Sequence, residues 1–448
     1  YGAEVERQRA DRLVSGRVIA GEAVATYFHT GGTTGAPKLA QQTHWNQVCM
    51  AWITAHILDC GPGDRFLVGL PLFHANAAIA SGLNVLGCGG TIVLAGQNGF
   101  RDPATMGDFW RIVDRHKITA FSAVPTILAN LLDLPRDGCD VSSLRICLCG
   151  AAPLAVSLFR AFEAATGLKI LEAYGMTEST LCSTINPRDG ERRIGSVGIR
   201  VPYHQVKTAL LDADGGFVRD CEDEEVGVLL LKGDTVTPGY KQPQFNKGLW
   251  PQPGWLNSGD LARRDADGYF WLTGRAKDLI IRGGHNIDPA VIEEALHRHP
   301  AVELAAAVGR PDPRVGEVPV AFVSLRPGMS ADPEDLRDFA RANVPERPAA
   351  PAYVRIIGKI PTTAVGKIFK PALREIVIRE TVEQALAEAA LGEITQVSVA
   401  SDKTRGIVAR IALDLPAGAS PEGARAKVET ALLRYPITLD IVAAEPAQ

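Results

Sequence analysis

Four short segments combine residue types and spacings suited to phosphate and sugar chemistry. The first, Thr30 to Lys38 (TGGTTGAPK), follows the apolar run VATYF. Thr30, Gly31, Gly32, Thr33, Thr34 and Gly35 string backbone N–H groups and hydroxyls along one turn, where they can cradle phosphate oxygens while Lys38 adds positive charge. Ala36 and Pro37 separate Gly35 from Lys38, so this is not the phosphate loop in which glycine, lysine and a hydroxyl residue adjoin. The same composition also serves a plain flexible turn. The second segment, Tyr174, Gly175, Met176, Thr177 and Glu178, offers a ring that can stack on a base, a hydroxyl for a phosphate and a carboxylate for Mg²⁺. An ordinary strand-end turn with a surface glutamate would read the same way. In the third, Trp255 to Lys277, Asp260 follows a Ser-Gly turn and can accept both hydroxyls of a ribose, with Arg275 a second candidate for that sugar. Their alternatives are a turn-forming aspartate and a surface charge. The fourth, Pro361 to Lys370 (PTTAVGKIFK), holds Lys367 in a threonine- and glycine-containing loop just before a helix, where it is either functional or a solvated surface charge.

Such segments need a scaffold, and the chain has the means to build one. Its 448 residues imply two or three domains, each able to bury a core. Apolar residues at 46% and charged residues at 22% exclude wholesale disorder, coiled coil and collagen. A net charge of −4 gives no general attraction for nucleic acid or an anionic membrane. The eight cysteines show neither CxxC nor zinc spacing and are too sparse for a disulfide framework, which predicts reduced thiols and a cytoplasmic location. The stretch between Arg65 and Arg101 lacks Lys, Arg, Asp and Glu, but Pro71, Asn84 and the GCGG at 87–90 break it. A buried helix near 76–86 and a strand at 91–95 fit it better than a membrane span.

Short β-branched runs alternate with amphipathic stretches through the first 200 residues, the pattern of a layered α/β sheet. Strands are predicted at 91–95, 120–123, 144–149 and 170–173, with helices around 105–116, 126–133 and 154–166. Cys147 and Cys149 should pack on one face of their strand. From about 205 to 240 the turns DADG and DEEVG predict antiparallel structure. A further αβ unit follows Gly274, with a helix capped by Asp288 and opened by Pro289, strands at 302–309, 318–325 and 353–357, and a helix from Pro333 to Ala342. The tail from 392 to 448 reads strand, strand, helix, strand, a small βαβ-like module.

Taken together and in order, the four segments resemble those of the adenylate-forming superfamily, which includes acyl-CoA synthetases, luciferase-like enzymes and peptide-synthetase adenylation domains. The resemblance covers roughly residues 25 to 380. It implies a large layered αβ ATP domain at 1–276, a small mobile α+β domain at 277–390 and an additional module at 391–448. It assigns Thr30 to Lys38 to the ATP β/γ-phosphates and lays Gly150, Ala151, Ala152 and Pro153 along the adenine. Tyr174 would stack on that base, Thr177 would contact the α-phosphate and Glu178 would bind Mg²⁺. Asp260 and Arg275 would hold the ribose, and Lys277 would be the hinge. Lys367 would be the lysine of the adenylation half-reaction, while Gly283 and Gly284 would approach the pantetheine arm of CoA. His74, in the segment Phe73 to Asn76 (FHAN), would gate the carboxylate pocket.

The resemblance thus implies an AMP-forming acyl-CoA synthetase, an acid–thiol ligase using ATP, Mg²⁺ and CoA. Peptide-synthetase domains of the superfamily place an aspartate in the segment corresponding to FHAN to hold the substrate ammonium; its absence here, with no carrier-domain serine motif downstream, favours a free acyl-CoA ligase over a peptide-synthetase module. The wall formed by 75–82 (ANAAIASG) and 122–129 (SAVPTILA) is small and apolar, which suits a fatty or aryl acid. The alternatives are a fatty acyl-AMP ligase serving a carrier protein and an inactive nucleotide-binding fragment. Leu39 replaces the glycine common after the loop lysine. Only 29 residues precede Thr30, which implies a large domain cut short at its start, and the tail is expected to be a docking or homodimerisation module.

Overall fold

The computed structural model describes residues 6–8, 15–30, 38–136, 138–212, 214–275, 278–283, 285–363, 366–391, 395–402, 406–415 and 420–443. At its centre is a seven-stranded sheet in the order Thr91–Leu94, Arg65–Val68, Ala120–Ala123, Ile146–Gly150, Ile170–Tyr174, Thr184–Ile185, Ile199–Arg200. The first five strands are parallel and the last two antiparallel. Parallel neighbours require crossovers, and helices such as Phe109–His116, Pro125–Asp133 and Val156–Thr166 supply them. Both faces are therefore covered, which explains why AFSA and ICLCG are buried along their whole length. Period two decides the partners. Phe121, Cys147 and Cys149 join Phe109, Trp110, Phe159 and Phe162 on one side, while Ala120, Ile146 and Leu148 join Met50, Phe66 and Ile79 on the other. The pairing of the two cysteines on one face agrees with the sequence.

Two expected helices differ in detail. The segment near 76–86 begins as a π-helix, Asn76–Leu83, before a short α-helical piece at Asn84–Gly87. The stretch 105–116 divides into Pro103–Gly107 and Phe109–His116, because the Asp108 backbone leaves the helical conformation after Gly107.

An ionic knot closes the amino-terminal edge of the central sheet. Asp64, Thr119 and Arg145 each stand immediately before a strand. The buried Asp64 carboxylate accepts from Arg145 Nε at 3.1 Å and Nη2 at 2.5 Å, from Thr119 Oγ1 at 2.7 Å and from Gly61 N at 2.9 Å. Three neighbouring strands are thereby registered by one carboxylate.

Three smaller sheets surround this one. The hairpin Val24–Thr30 and Lys38–Thr43 pairs Thr30 with Lys38. An antiparallel sheet orders Phe217–Asp220, His204–Leu211, Gly227–Gly233, Leu256–Arg264 and Phe270–Arg275. The C-terminal αβ unit orders His285–Ile287, Ile280–Arg282, Gly316–Leu325 and Val302–Asp312, with Val354–Ile356 added parallel to Gly316–Leu325. Its long hairpin reaches past the predicted 302–309 because Asp312 Oδ1 accepts from the amides of Arg314 and Val315 and closes the turn tightly. Asp288 caps the helix Pro289–His297 by accepting from Ala290 N at 2.9 Å.

The tail forms a fifth sheet of Thr395–Asp402, Gly406–Leu413 and Thr438–Ala443, with Pro421–Leu432 as the crossover between its parallel pair. It shares the helix Lys370–Glu388 with the preceding unit. Leu373 and Val377 pack with Val308 and Phe322, whereas Val382, Ala385 and Leu386 pack with Val399, Ile411 and Val428.

Glu172 is the one acidic residue inside a central strand. It is 5% exposed, its Oε2 has no hydrogen-bond partner among the described residues, and burial pushes the carboxyl up to about 8 despite a bond from the Leu154 amide. The unfolded chain would ionise near 4.5, so between that pH and about 8 the unfolded state has released a proton that the native state retains. Stability must fall as pH rises through this window. Glu172→Gln is expected to abolish that fall, stabilising the protein at pH 8 by about 1 to 3 kcal/mol and leaving pH 4 unaffected, as measured by denaturant unfolding. Asp64→Asn should instead cost about 2 kcal/mol at neutral pH in the same assay, since Arg145 and Thr119 lose their common acceptor.

Candidate active site

The central sheet has a topological switch point. Thr91–Leu94 lies on one flank of Arg65–Val68, and Ala120–Ala123 on the other, so the connections diverge and leave a crevice beyond the strands' carboxyl ends. Leu70, His74 and Asn76 after the first strand, Val124 after the second and Ala151 after the third line a small cavity there. Burial, then the Lys367 ammonium, then His29 push the His74 imidazole down to about 4, so it is neutral at physiological pH.

Lys367 reaches this place from the C-terminal unit. A bridge between Thr362 and Ile368 and bonds between Thr363 N and Lys367 O, at 2.7 Å, and Lys367 N and Thr363 Oγ1, at 3.2 Å, shape its loop. Thr126 Oγ1, at the start of the helix Pro125–Asp133, donates to Gly366 O at 3.4 Å. Nearby, Val156 N donates to Glu294 Oε2 at 3.1 Å, a second tie between the two units.

The other segments converge from the neighbouring strands. Gly150 ends its strand under a tight ceiling: a Cβ there would lie 2.7 Å from Ala173 O. Ala151 follows with φ 71°, a left-handed conformation that costs energy for a residue with a Cβ. Ala152 and Pro153 continue the loop toward Val156–Thr166. Tyr174 is buried and its hydroxyl donates to Asp260 Oδ2 at 2.6 Å, so the residues expected at base and ribose are in direct contact. Asp260 also faces Arg275 in backbone register across two strands. A Cβ on Gly175 would fall 1.9 Å from Leu181 O, so only glycine lets the chain fold back into the turn Thr177–Ser179 after Met176.

Glu178 is buried in that turn and held from several sides. Tyr240 donates its hydroxyl to Glu178 Oε1, and Thr237 N donates to Glu178 O at 2.7 Å. Burial, followed by the charge of Glu178, pushes the Tyr240 phenol upward and keeps it a neutral donor. Gln42, fully buried, donates to Thr177 O at 2.9 Å and Thr180 O at 3.3 Å, and accepts from Gln47 Nε2 at 3.2 Å. Leu39 N donates to Gln242 Oε1 at 3.2 Å, while the Lys38 ammonium lies 5.3 Å from the Tyr240 ring and 5.2 Å from the Phe245 ring. The hairpin Val24–Thr43, the Glu178 turn and the 237–242 segment are thus one hydrogen-bonded body.

Residues 31–35, Lys277 and Gly284, with the side chain of Arg275, lie outside the described residues. Gly283 is at a hairpin tip with φ 56°, and its amide donates to Val315 O at 2.7 Å, within the C-terminal sheet and not among the residues above. Sequence inspection missed Tyr240, Gln42 and Glu172. A charged residue inside the strand ILEAY was a visible signal for Glu172. Gln42 and Tyr240 carry none, because their roles exist only through partners about 135 and 62 positions away.

Residues 3–241 match the family model for AMP-binding enzymes, and residues 291–367 match that for the AMP-binding enzyme C-terminal domain. A marinolic acid–CoA ligase of Pseudoalteromonas sp. (strain SANK 73390) is 45% identical over 388 residues, covering 85% of this chain and 59% of the relative. The chain therefore spans about three fifths of that protein's length. ATP-bound MatB from Rhodopseudomonas palustris superposes with a TM-score of 0.72 at 28% identity, covering 80% of this chain and 69% of that one. The o-succinylbenzoate coenzyme A synthetase MenE of Bacillus subtilis, in complex with ATP and magnesium ion, gives 0.68 at 30% identity, covering 82% and 73%. With the switch-point crevice, the clamped Glu178 turn and the Tyr174–Asp260 pair in place, these matches establish that the chain belongs to the AMP-binding enzyme family.

Proposed function

We propose that this chain is an AMP-forming acyl-CoA synthetase that activates a carboxylic acid with ATP and hands the acyl group to CoA. In the first half-reaction a carboxylate oxygen attacks the α-phosphorus of ATP and pyrophosphate departs. In the second, the CoA thiolate attacks the acyl carbonyl and AMP departs. The observation that carries this reading is the seating of the Lys367 loop against Thr126, with the Lys367 charge acting on His74 at the mouth of the crevice. Bringing an anionic acid to an anionic phosphate needs positive charge and alignment, and a lysine at this junction supplies both.

The remaining roles in this reading are those implied by the resemblance to the adenylate-forming superfamily. Neutral His74 would border the carboxylate without adding charge. Thr30, the 31–35 loop and Lys38 would hold the β- and γ-phosphates, and Thr177 the α-phosphate. Gly150 to Pro153 and Tyr174 would receive the adenine, and Asp260 with Arg275 the ribose. Mg²⁺ favours one or two carboxylates plus phosphate oxygens, and Glu178 is a single carboxylate fixed by Tyr240 beside the phosphate hairpin, so it would take the ion that accompanies ATP. For thioester formation Lys367 must withdraw and the 283–284 segment approach, which a rotation of the 277–390 unit about Lys277 would accomplish. Eight free thiols suit a reducing compartment such as the cytoplasm. Among the described residues no helix is long and apolar enough to cross a membrane.

A panel of carboxylic acids with ATP and Mg²⁺, read as pyrophosphate release with and without CoA, tests the assignment. Release with thioester product is expected; acyl-AMP that never discharges onto CoA would replace this reading with an adenylation-only ligase. Lys367→Ala should slow acyl-AMP formation by about 100-fold or more, yet spare thioester formation from supplied acyl-AMP. Tyr240→Phe, which frees Glu178 from its donor, should lower kcat/KM for Mg-ATP about tenfold.

A further inference from the structure

The inner wall of the crevice is formed by the π-helix Asn76–Leu83 packed against the strand Ala120–Ala123. Its ground is small and apolar: Ala75, Ile79 and Ala80 share one buried cluster with Ala120 and Leu148. Two polar atoms interrupt it. Ser122 is 2% exposed and its Oγ has no hydrogen-bond partner among the described residues. Val124, two residues on, is still extended at φ −106° and ψ 162°, so Ser122 points the same way as Val124, which lines the cavity. The second atom is Asn76 Oδ1, also buried and without a partner, in the cavity lining two residues after His74.

Leaving a buried polar atom unpaired costs about 1 to 3 kcal/mol, so two on one wall call for a ligand group that satisfies them. A π-helix, a form that recurs at functional sites, carries one of the two. We propose that Asn76 and Ser122 are specificity-determining residues that read a hydroxyl close to the carboxyl group, making the substrate a 2- or 3-hydroxy acid instead of an unsubstituted chain. A hydroxyl can donate its proton to Asn76 Oδ1 and accept one from Ser122 Oγ, whereas a methylene at that position leaves both atoms unpaired. The inference rests on the acid-activating reading, which puts the carboxyl end beside His74. It narrows the fatty or aryl acid expected from the apolar wall to one bearing a polar substituent.

The test compares octanoate with 2-hydroxyoctanoate and 3-hydroxyoctanoate, each with ATP and Mg²⁺, as kcat/KM for pyrophosphate release by the full chain. One hydroxy acid should be preferred by about 100-fold or more, because a site built to bond a hydroxyl discriminates strongly against its absence. Ser122→Ala and Asn76→Leu should each reduce the ratio to below about tenfold, a change of selectivity that a purely structural role would not produce. Octanoate turned over as well as both hydroxy acids by the unaltered protein would overturn the inference and leave the ligase reading standing. Pyrophosphate release with no acid at all would count against the ligase reading and remove this inference with it.

Discussion

A carboxylate taken out of water must be hydrogen-bonded, and the burial of Glu178 sets the terms for everything around it. Its side chain takes the Tyr240 hydroxyl and its carbonyl the Thr237 amide, while Gln42 secures the carbonyls of the flanking Thr177 and Thr180. The donors come from two distant stretches of chain, 237–240 and Gln42. Because Gln42 lies on the strand that leaves Lys38, and Tyr240 bridges to Ala40 on the same strand, fixing the glutamate also fixes that strand's hairpin. Glu178 and the strand that begins at Lys38 are thereby positioned as one unit.

The central sheet contributes direction. Parallel strands present all their carboxyl ends on one edge, so His74, Val124, Ala151 and Glu178 emerge together despite being spread over more than a hundred positions. The opposite edge is tied by Asp64, Arg145 and Thr119, which couples the register of three strands to a single ion pair. Part of the molecule's strain sits at the carboxyl-terminal edge of this sheet. Ala151 adopts a left-handed backbone there, and Ser122 and Asn76 keep buried polar atoms unpaired, as expected where ligand contacts and not folding contacts decide the residue.

Neutrality is the other recurring property. His74 is held uncharged by burial and by Lys367, Tyr240 stays a phenol beside Glu178, and burial keeps the proton on Glu172 beside the Leu154 amide. Positive charge at the crevice is thereby concentrated in lysine, whose flexible stem arrives from a separate unit. The tail module shares the helix Lys370–Glu388 with that unit, packing on its later turns at Val382, Ala385 and Leu386.

Local chemistry was legible in the chain itself. Alternation and apolar runs located the parallel strands, Asp288 and Pro289 marked a helix start, and the ordered glycine, threonine and lysine segments pointed to phosphate and ribose binding, because each of these signals depends on neighbours a few residues apart. The hydrogen-bond partners were not legible. Tyr240 became a clamp on Glu178, Gln42 a brace for Thr177, and Tyr174 a donor to Asp260 only when distant segments met, and the π-turn at Asn76 depended on how that helix packs on the strand beneath it. Sequence alone determined which residues could do the chemistry. Tertiary structure decided which were gathered and which polar atoms were left for a substrate, because burial and pairing are properties of contacts between segments and not of any segment alone.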